Sequence, residues 1–450
     1  MDWNPLPDLC AVALLTWAFG SVARRGQTPV SRLWLTGWMM IVLHFAALTL
    51  DNIPGLIGSL ASVLSLNALA WAGVLFMWAC VPYRNRTSSR WMLGGLLSTN
   101  TIYITLNLTA PHAAWALVPA AALFGLCPLV LAVAALRKGF SHPLRWSMVV
   151  LNSGLAVFLL LFQFRVPNGS DLAFNAVIFT VYMGCCLHFG YAYRRATAGA
   201  MISLAGFLAW SFVFVVAPLL AAYWPNLHVQ SEVWNLPKYV VAVGMILLLL
   251  EDQIEHNKYL ALHDELTGLP NRRLFHDRLA IALERARRGS SRTALLLIDL
   301  DHFKQVNDTV GHHVGDLLLK RVSEIFMGRV RRSDTVARTG GDEFSVILEE
   351  PVSREDAARV GQMLTELLRQ PQEVGGHTVS IGASVGVGIF PEDASDAESL
   401  CIAADRNMYA DKSGSRKGTS RSSGISPPRS EILHSDSPRS ESPHSGSMRT

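Results

Sequence analysis

Nine stretches of about 20 mostly apolar residues occupy the first 250 positions, and nothing else in the chain narrows its possible folds so sharply. They lie near 7–23, 33–50, 56–81, 91–109, 114–136, 146–164, 172–192, 200–223 and 236–250. In hydrocarbon a backbone must satisfy its own polar groups, so stretches of this length are read as membrane-spanning helices. The connections alternate in charge. Arg24, Arg25, Arg32, Arg84, Arg86, Arg90, Arg137, Lys138, Arg145, Arg194 and Arg195 fall on one side, against Arg165 and Lys238 on the other. Basic residues stay on the cytoplasmic side, which places the N-terminus outside and everything after residue 250 in the cytoplasm, as an odd number of spans requires. A cleaved leader is the rival for the first stretch. Its opening M-D-W-N-P-L-P-D has no basic residue and Arg24 and Arg25 follow the apolar run, the wrong polarity for a secretory signal, so a retained helix is expected.

Composition agrees once it is divided by region. Of the 450 residues 50% are hydrophobic and 16% charged, below the roughly 25% charged of a soluble domain. The deficit belongs to residues 1–250, whereas 251–417 have an ordinary soluble composition. A net charge of +4 gives no reason to expect nucleic acid as a partner. The six cysteines, Cys10, Cys80, Cys127, Cys185, Cys186 and Cys401, include no C-x-x-C pair and read as buried thiols rather than zinc ligands or a disulfide framework. His44 and His188 lie inside spans; a neutral imidazole bonded to a neighbouring helix is the expectation, a haem or metal ligand the alternative. Trp3, Trp34, Trp91, Trp224 and Trp234 are expected to anchor the interfaces.

Two segments flank the soluble part. Residues 251–263 continue the last span as a connecting helix, and Leu250, Ile254, Asn257 and Ala261 recur at three- and four-residue spacing, which suits either a short pairing seam or a plain connector. Residues 418–450 are one-third serine with repeated S-P steps, too polar to offset the entropy of ordering, and are expected to be disordered.

The chemistry sits between them. The apolar run at 294–298 reads as a strand buried on both faces and ends in Asp299 and Asp301. Period-two geometry puts these carboxylates on one face, where they repel unless a cation such as Mg²⁺ or Mn²⁺ sits between them; a pair of solvated strand-end aspartates is the alternative. Asn307 and Asp316 flank a glycine-punctuated segment and suit a guanine edge, and Lys304 can reach a phosphate. At 338–344 the chain reads R-T-G-G-D-E-F between two alternating stretches, so G-G-D-E is expected to form a hairpin turn. Gly340 and Gly341 are expected to supply positive φ and to leave no Cβ in a ligand's way, with Asp342 and Glu343 held at the tip near Asp299.

Residues 264–273 read D-E-L-T-G-L-P-N-R-R, 299–308 D-L-D-H-F-K-Q-V-N-D and 311–316 G-H-H-V-G-D. After R-T-G-G-D-E-F come S-V-G-V-G at 384–388 and A-D-R-N-M-Y-A-D-K at 404–412. In this order and spacing, the stretch from about 260 to 417 resembles the GGDEF domain, the catalytic domain of diguanylate cyclases. The apolar stretches above make residues 1–250 a polytopic α-helical membrane domain, followed by a connecting helix (251–263). The resemblance implies that an α/β GGDEF domain (264–417) comes next, a nucleotidyl-cyclase-like palm with a central, mainly antiparallel sheet. It implies condensation of two GTP to cyclic di-GMP and pyrophosphate, with Mg²⁺ (or Mn²⁺) held by Asp299, Asp342 and the carbonyl of Leu300. Asp342 takes the proton of the attacking hydroxyl, Glu343 supports the site, Asn307 and Asp316 read guanine, and Lys304, Lys412 and Arg416 neutralise phosphate. Each domain holds one GTP, so a homodimer is implied. Arg331 and Asp334, spaced R-x-x-D, match an inhibitory product site, with Arg332 and Arg338 as further donors. One departure is S-G-S-R-K-G after Lys412, where the family often has x-x-G-R-N. The alternatives are a catalytically silent receptor for GTP or cyclic di-GMP, and a transporter carrying a regulatory domain.

Overall fold

The computed structural model describes the chain except for residues 1–4, 27, 83–86, 138–141, 167–168, 195, 228, 350–352, 419–424 and 427–450. Trp3, Arg84, Arg86, Lys138 and Arg195 therefore lie outside the described residues. The chain divides into two units, Met1–His256 and Asn257–Thr450.

The first unit is helical: α1 (Leu6–Gly26), α2 (Pro29–Leu48), α3 (Leu56–Ala79), α4 (Thr87–Thr109), α5 (Ala114–Arg137), α6 (Pro143–Phe162), α7 (Gly169–Ala192), α8 (Ala198–Tyr223) and α9 (Ser231–Leu262), the last running on past the unit's boundary. Starts are marked locally. Thr28 and Thr197 cap α2 and α8 with their side-chain oxygens, and proline follows the cap in α2 and α6. Among the described residues eight of these helices are long and apolar enough to cross a membrane. The remaining one, α4, has the length but carries several polar groups, some of which face inward. Asn100 and Asn107 are buried, and Asn107, Gln163 and Tyr103 bond to one another. Apolar side chains line the outside, Trp115 being 84% and Val150 72% exposed, as a lipid-facing surface requires. Inside, small residues bring α8 and α9 together. A Cβ on Gly206 would lie 2.8 Å from Val241, and one on Gly244 2.6 Å from the Ser203 nitrogen.

Two expectations change here. Trp34 is no interfacial anchor: it is 1% exposed and packs on Phe19, Phe189 and Tyr193, because hydropathy does not tell which face of a helix points inward. Of the two histidines, His44 bonds Ser65 on the neighbouring α3. His188 instead bonds the carbonyl of Gly184 on its own helix, and its Nε2 is buried without a partner.

The second unit continues with α10 (Arg272–Gly289), β1 (Thr293–Asp301), α11 (Phe303–Val310), α12 (His312–Met327), β2 (Thr335–Arg338), β3 (Glu343–Glu349), α13 (Arg354–Arg369), β4 (Gln372–Val374), β5 (His377–Val379), β6 (Gly382–Phe390), α14 (Ala397–Gly418) and β7 (Ile425–Ser426). The central sheet has the order β2-β3-β1-β6 with every pair antiparallel, and β4-β5-β7 form a small second sheet. β1 is apolar at consecutive positions because helices cover both faces. Leu295 packs with Phe275, Leu279 and Leu400 of α10 and α14, whereas Leu296 and Ile298 pack with Leu318, Val322 and Leu364 of α12 and α13. This is the α/β architecture with an antiparallel sheet that the motifs imply.

Candidate active site

The sheet register assembles the site. β1 pairs β3 through Asp299 opposite Glu343, and the Leu300 N–H donates to the Asp342 carbonyl at 3.1 Å. On the other edge Asp301 lies opposite Gly382 of β6. Alternation along β1 leaves Leu297, Asp299 and Asp301 partly exposed on one face while their neighbours are buried. Lys412, from α14, places its Nζ 2.7 Å from Asp299 Oδ1, and Ser384 Oγ donates to Asp301 Oδ1 at 2.8 Å. The hydrogen bond to Asp299, opposed by partial burial and reinforced by the charges of Asp299, Asp301 and Asp342, raises the Lys412 pKa above the ordinary lysine value. Three carboxylates thus face one ammonium. The position of α14 depends on close packing: a Cβ at Gly386 would overlap the Ala404 carbonyl and the Met408 backbone, and Asp411 accepts the Val385 N–H at 3.1 Å.

The glycine turn differs from expectation in one respect. It spans 339–342, with the N–H groups of Thr339 and Gly340 both directed at the Glu343 carbonyl (3.0 and 3.3 Å), and Glu343 opens β3 rather than sitting in the turn. Neither Gly340 nor Gly341 has positive φ. Space explains these glycines better. A Cβ on Gly340 would meet Glu343 Oε2 at 2.5 Å, and the volume beside Gly341 is open.

Arg338 holds the turn, a role its motif position alone did not reveal. Its Nε and Nη2 donate to the Gly341 carbonyl (3.1 and 2.7 Å) and its Nη1 to both Asp264 oxygens (2.9 and 3.1 Å). Every nitrogen of its guanidinium is thus engaged at the turn and at Asp264. Partial burial opposes ionisation of Asp264, but hydrogen bonds from Thr267 and Arg338 outweigh it and hold the carboxyl below its ordinary range. The D-x-L-T and R-x-G-G motifs thereby become one unit.

Asn307 sits on α11 against the start of α12, where a Cβ on Gly315 would overlap its amide oxygen. That Oδ1 is buried with no hydrogen-bond partner, an acceptor left open for a donor. Asp316 and Lys304 are exposed on the adjoining helices. Arg416 lies on α14 beyond the described side chains. At the R-x-x-D pair, Asp334 accepts from the backbone N–H groups of Arg331 (2.8 Å) and Glu349 (3.2 Å), so its carboxylate shapes the turn into β2, while Arg331 is exposed.

Among the described residues no group of three His, Cys, Asp or Glu side chains is arranged to hold a metal. Two carboxylates beside a backbone carbonyl, already faced by the Lys412 ammonium, nevertheless fit Mg²⁺, which keeps water and takes the rest of its shell from substrate phosphate.

Residues 261–418 match the family described as diguanylate cyclase, GGDEF domain. The bifunctional diguanylate cyclase/cyclic di-GMP phosphodiesterase MucR of Pseudomonas aeruginosa is 35% identical over 296 residues, 60% of this chain and 40% of its own length. Diguanylate cyclase TpbB of the same organism is 38% identical over 181 residues, 40% of this chain and 41% of its own. The solved GGDEF domain of TpbB matches with 40% identity and a TM-score of 0.33, covering 34% of this chain and 89% of that one. The chain spans about two-fifths of the length of these two curated relatives.

Proposed function

With residues 261–418 a GGDEF domain, we propose that the protein is a membrane-bound diguanylate cyclase condensing two GTP into cyclic di-GMP and pyrophosphate. One observation carries this reading: the register that sets Asp342 beside the end of β1, where Lys412 already meets Asp299. Asp299, Asp342 and the Leu300 carbonyl would hold Mg²⁺ or Mn²⁺, which when bound neutralises charge on phosphate oxygens. The protein's own groups do the rest. Asn307 Oδ1 accepts from the guanine N–H groups, and the Asp316 carboxylate does the same. Lys304, Lys412 and Arg416 counter the triphosphate charge. Asp342 accepts the proton as the 3′-oxygen of one GTP attacks the α-phosphorus of the other, and Glu343 borders the turn that holds it. Each domain binds one nucleotide, so a homodimer brings nucleophile and target together. Arg331, with Asp334 shaping its turn, binds product and limits turnover. The charge pattern of the connections supports a cytoplasmic catalytic domain, with the helices in the inner membrane.

The test is production of cyclic di-GMP from GTP and Mg²⁺ by the full-length protein, with Asp342→Ala alongside. Product from the wild type and none from a folded variant is expected. GTP or cyclic di-GMP binding without turnover would favour the silent receptor.

A further inference from the structure

The first two helices of the apolar half leave a groove between them, and no role assigned above uses it. It runs from Ala13 to Arg24 on α1 and from Leu35 to Val42 on α2. Trp17, 70% exposed, and Met39, 55% exposed, line it and turn it toward the lipid side. Gly20 deepens it, since a Cβ there would stand 3.4 Å from the Leu35 side chain. At a rise of 1.5 Å per residue the groove is about 16 Å long, half of the roughly 30 Å hydrocarbon core. Its volume of about 380 Å³ gives a mean cross-section of about 24 Å², against about 80 Å² for a helix 10 Å across. It suits one extended hydrocarbon chain and is too thin for another helix.

One end of the groove is charged. Two residues join α1 to α2, so the helices run antiparallel, and the contact of Gly20 with Leu35 brings Arg24 level with Arg32. Arg32 shares a helical face with Leu35, Met39 and Val42. Both arginines are exposed, and among the described residues neither is in an ion pair. The backbone beneath them is held: Gln253 Nε2 donates to the Val22 carbonyl at 3.0 Å, and the Thr28 hydroxyl accepts from the Ser31 N–H at 3.1 Å.

From a groove half a bilayer long that ends at two uncompensated guanidiniums, we infer a site for one anionic phospholipid. An acyl chain lies along Trp17 and Gly20, and the headgroup phosphate meets Arg24 and Arg32. Guanidinium forks match phosphate oxygens in geometry and charge. A zwitterionic lipid brings its own cation, which the arginines repel, and a soluble phosphate brings no chain to fill the groove. The inference takes over the membrane reading of residues 1–250 and is independent of the cyclase reading. Under the topology proposed above, the headgroup lies in the cytoplasmic leaflet.

The experiment places the full-length protein in phosphatidylcholine nanodiscs. These carry a trace of phosphatidylglycerol with a diazirine on its acyl chain, or of phosphatidylcholine with the same group. After illumination, adducts on Trp17 and Met39 are quantified by peptide mass spectrometry, with Val150 of α6 as the lipid-facing reference. Phosphatidylglycerol is expected to label the groove at least about fivefold more than phosphatidylcholine, and up to about 30-fold with both guanidiniums fully engaged. The two probes are expected to label Val150 alike. Arg24→Gln combined with Arg32→Gln should bring the groove ratio close to one. Equal labelling of the groove by both probes, the same preference at Val150, or a preference kept in the double variant means annular lipid only and overturns the assignment. Labelled Val150 with no groove adduct from either probe means that another occupant, such as a second copy, covers the groove, and is equally fatal. The wild-type ratio decides the matter even if the double variant does not assemble. Release of the protein from membranes by alkaline carbonate would instead strike the membrane reading itself.

Discussion

Replacing Arg338 tests how the glycine turn is held. Four contacts would be lost, two to the Gly341 carbonyl and two to Asp264. Charge-assisted hydrogen bonds contribute about 1.5–3 kcal/mol each when well buried. The side chains are 13% and 24% exposed and Nη1 is shared between two oxygens, which lowers the sum. Arg338→Ala is therefore expected to cost about 2–4 kcal/mol locally, equivalent to about 30- to 900-fold faster opening of the turn. Hydrogen exchange of the Leu300 amide, which donates to the Asp342 carbonyl, reads this directly. Because the turn aims Asp342, kcat should fall about 100-fold with KM for GTP little changed. Arg338→Lys can reach only one of the two partners and should recover part of the protection. The pH dependence has a definite sign. The Asp264 pKa is depressed in the folded state, so its contribution is present above the ordinary 3.8 and lost as pH falls through the depressed value. The gap between wild type and Arg338→Ala should hold from neutral pH to about 4 and close below. Wild-type exchange and kcat in Arg338→Ala would refute the reasoning.

Further outcomes follow from the same geometry. Gly386→Ala forces α14 away from β6 and should destabilise the soluble domain by about 1–3 kcal/mol in denaturant titrations, displacing Lys412 with it. Asn307→Ala removes an acceptor that has no partner in the free protein, so the melting temperature should hold while GTP affinity falls about 10- to 100-fold by calorimetry. Gly341→Ala meets no neighbour and needs no positive φ, so its stability should match wild type; an elevated KM for GTP would mark the open volume beside it as the nucleotide's path.

Local signals in the sequence were strong where chemistry follows the chain. The run 294–298 announced a strand covered on both faces, and the alternation around 338–349 announced the hairpin. The pairings that complete the site were hidden because they join distant positions. Lys412 reaches Asp299 across 113 residues, Ser384 reaches Asp301 across 83, and Arg338 reaches Asp264 across 74. Positive φ and clearance are both expected of the two turn glycines from sequence; neither has positive φ, whereas a Cβ on Gly340 would meet Glu343 and the volume beside Gly341 is open, so only the second reason stands. In the apolar half, hydropathy located helices but not their inward faces, so Trp34 was misplaced and the pairing of Asp8 with Asn235 and Tyr239 went unseen.

Whether Asp299 and Asp342 serve one cation is best settled by titrating Mn²⁺ into the GTP-loaded full-length protein by paramagnetic resonance, for Asp299→Asn, Asp342→Asn and the pair. A shared pocket predicts that either change alone removes most of the tight binding and that the second adds little. Losses that simply add, or full binding after both changes, would mean that the two carboxylates act apart.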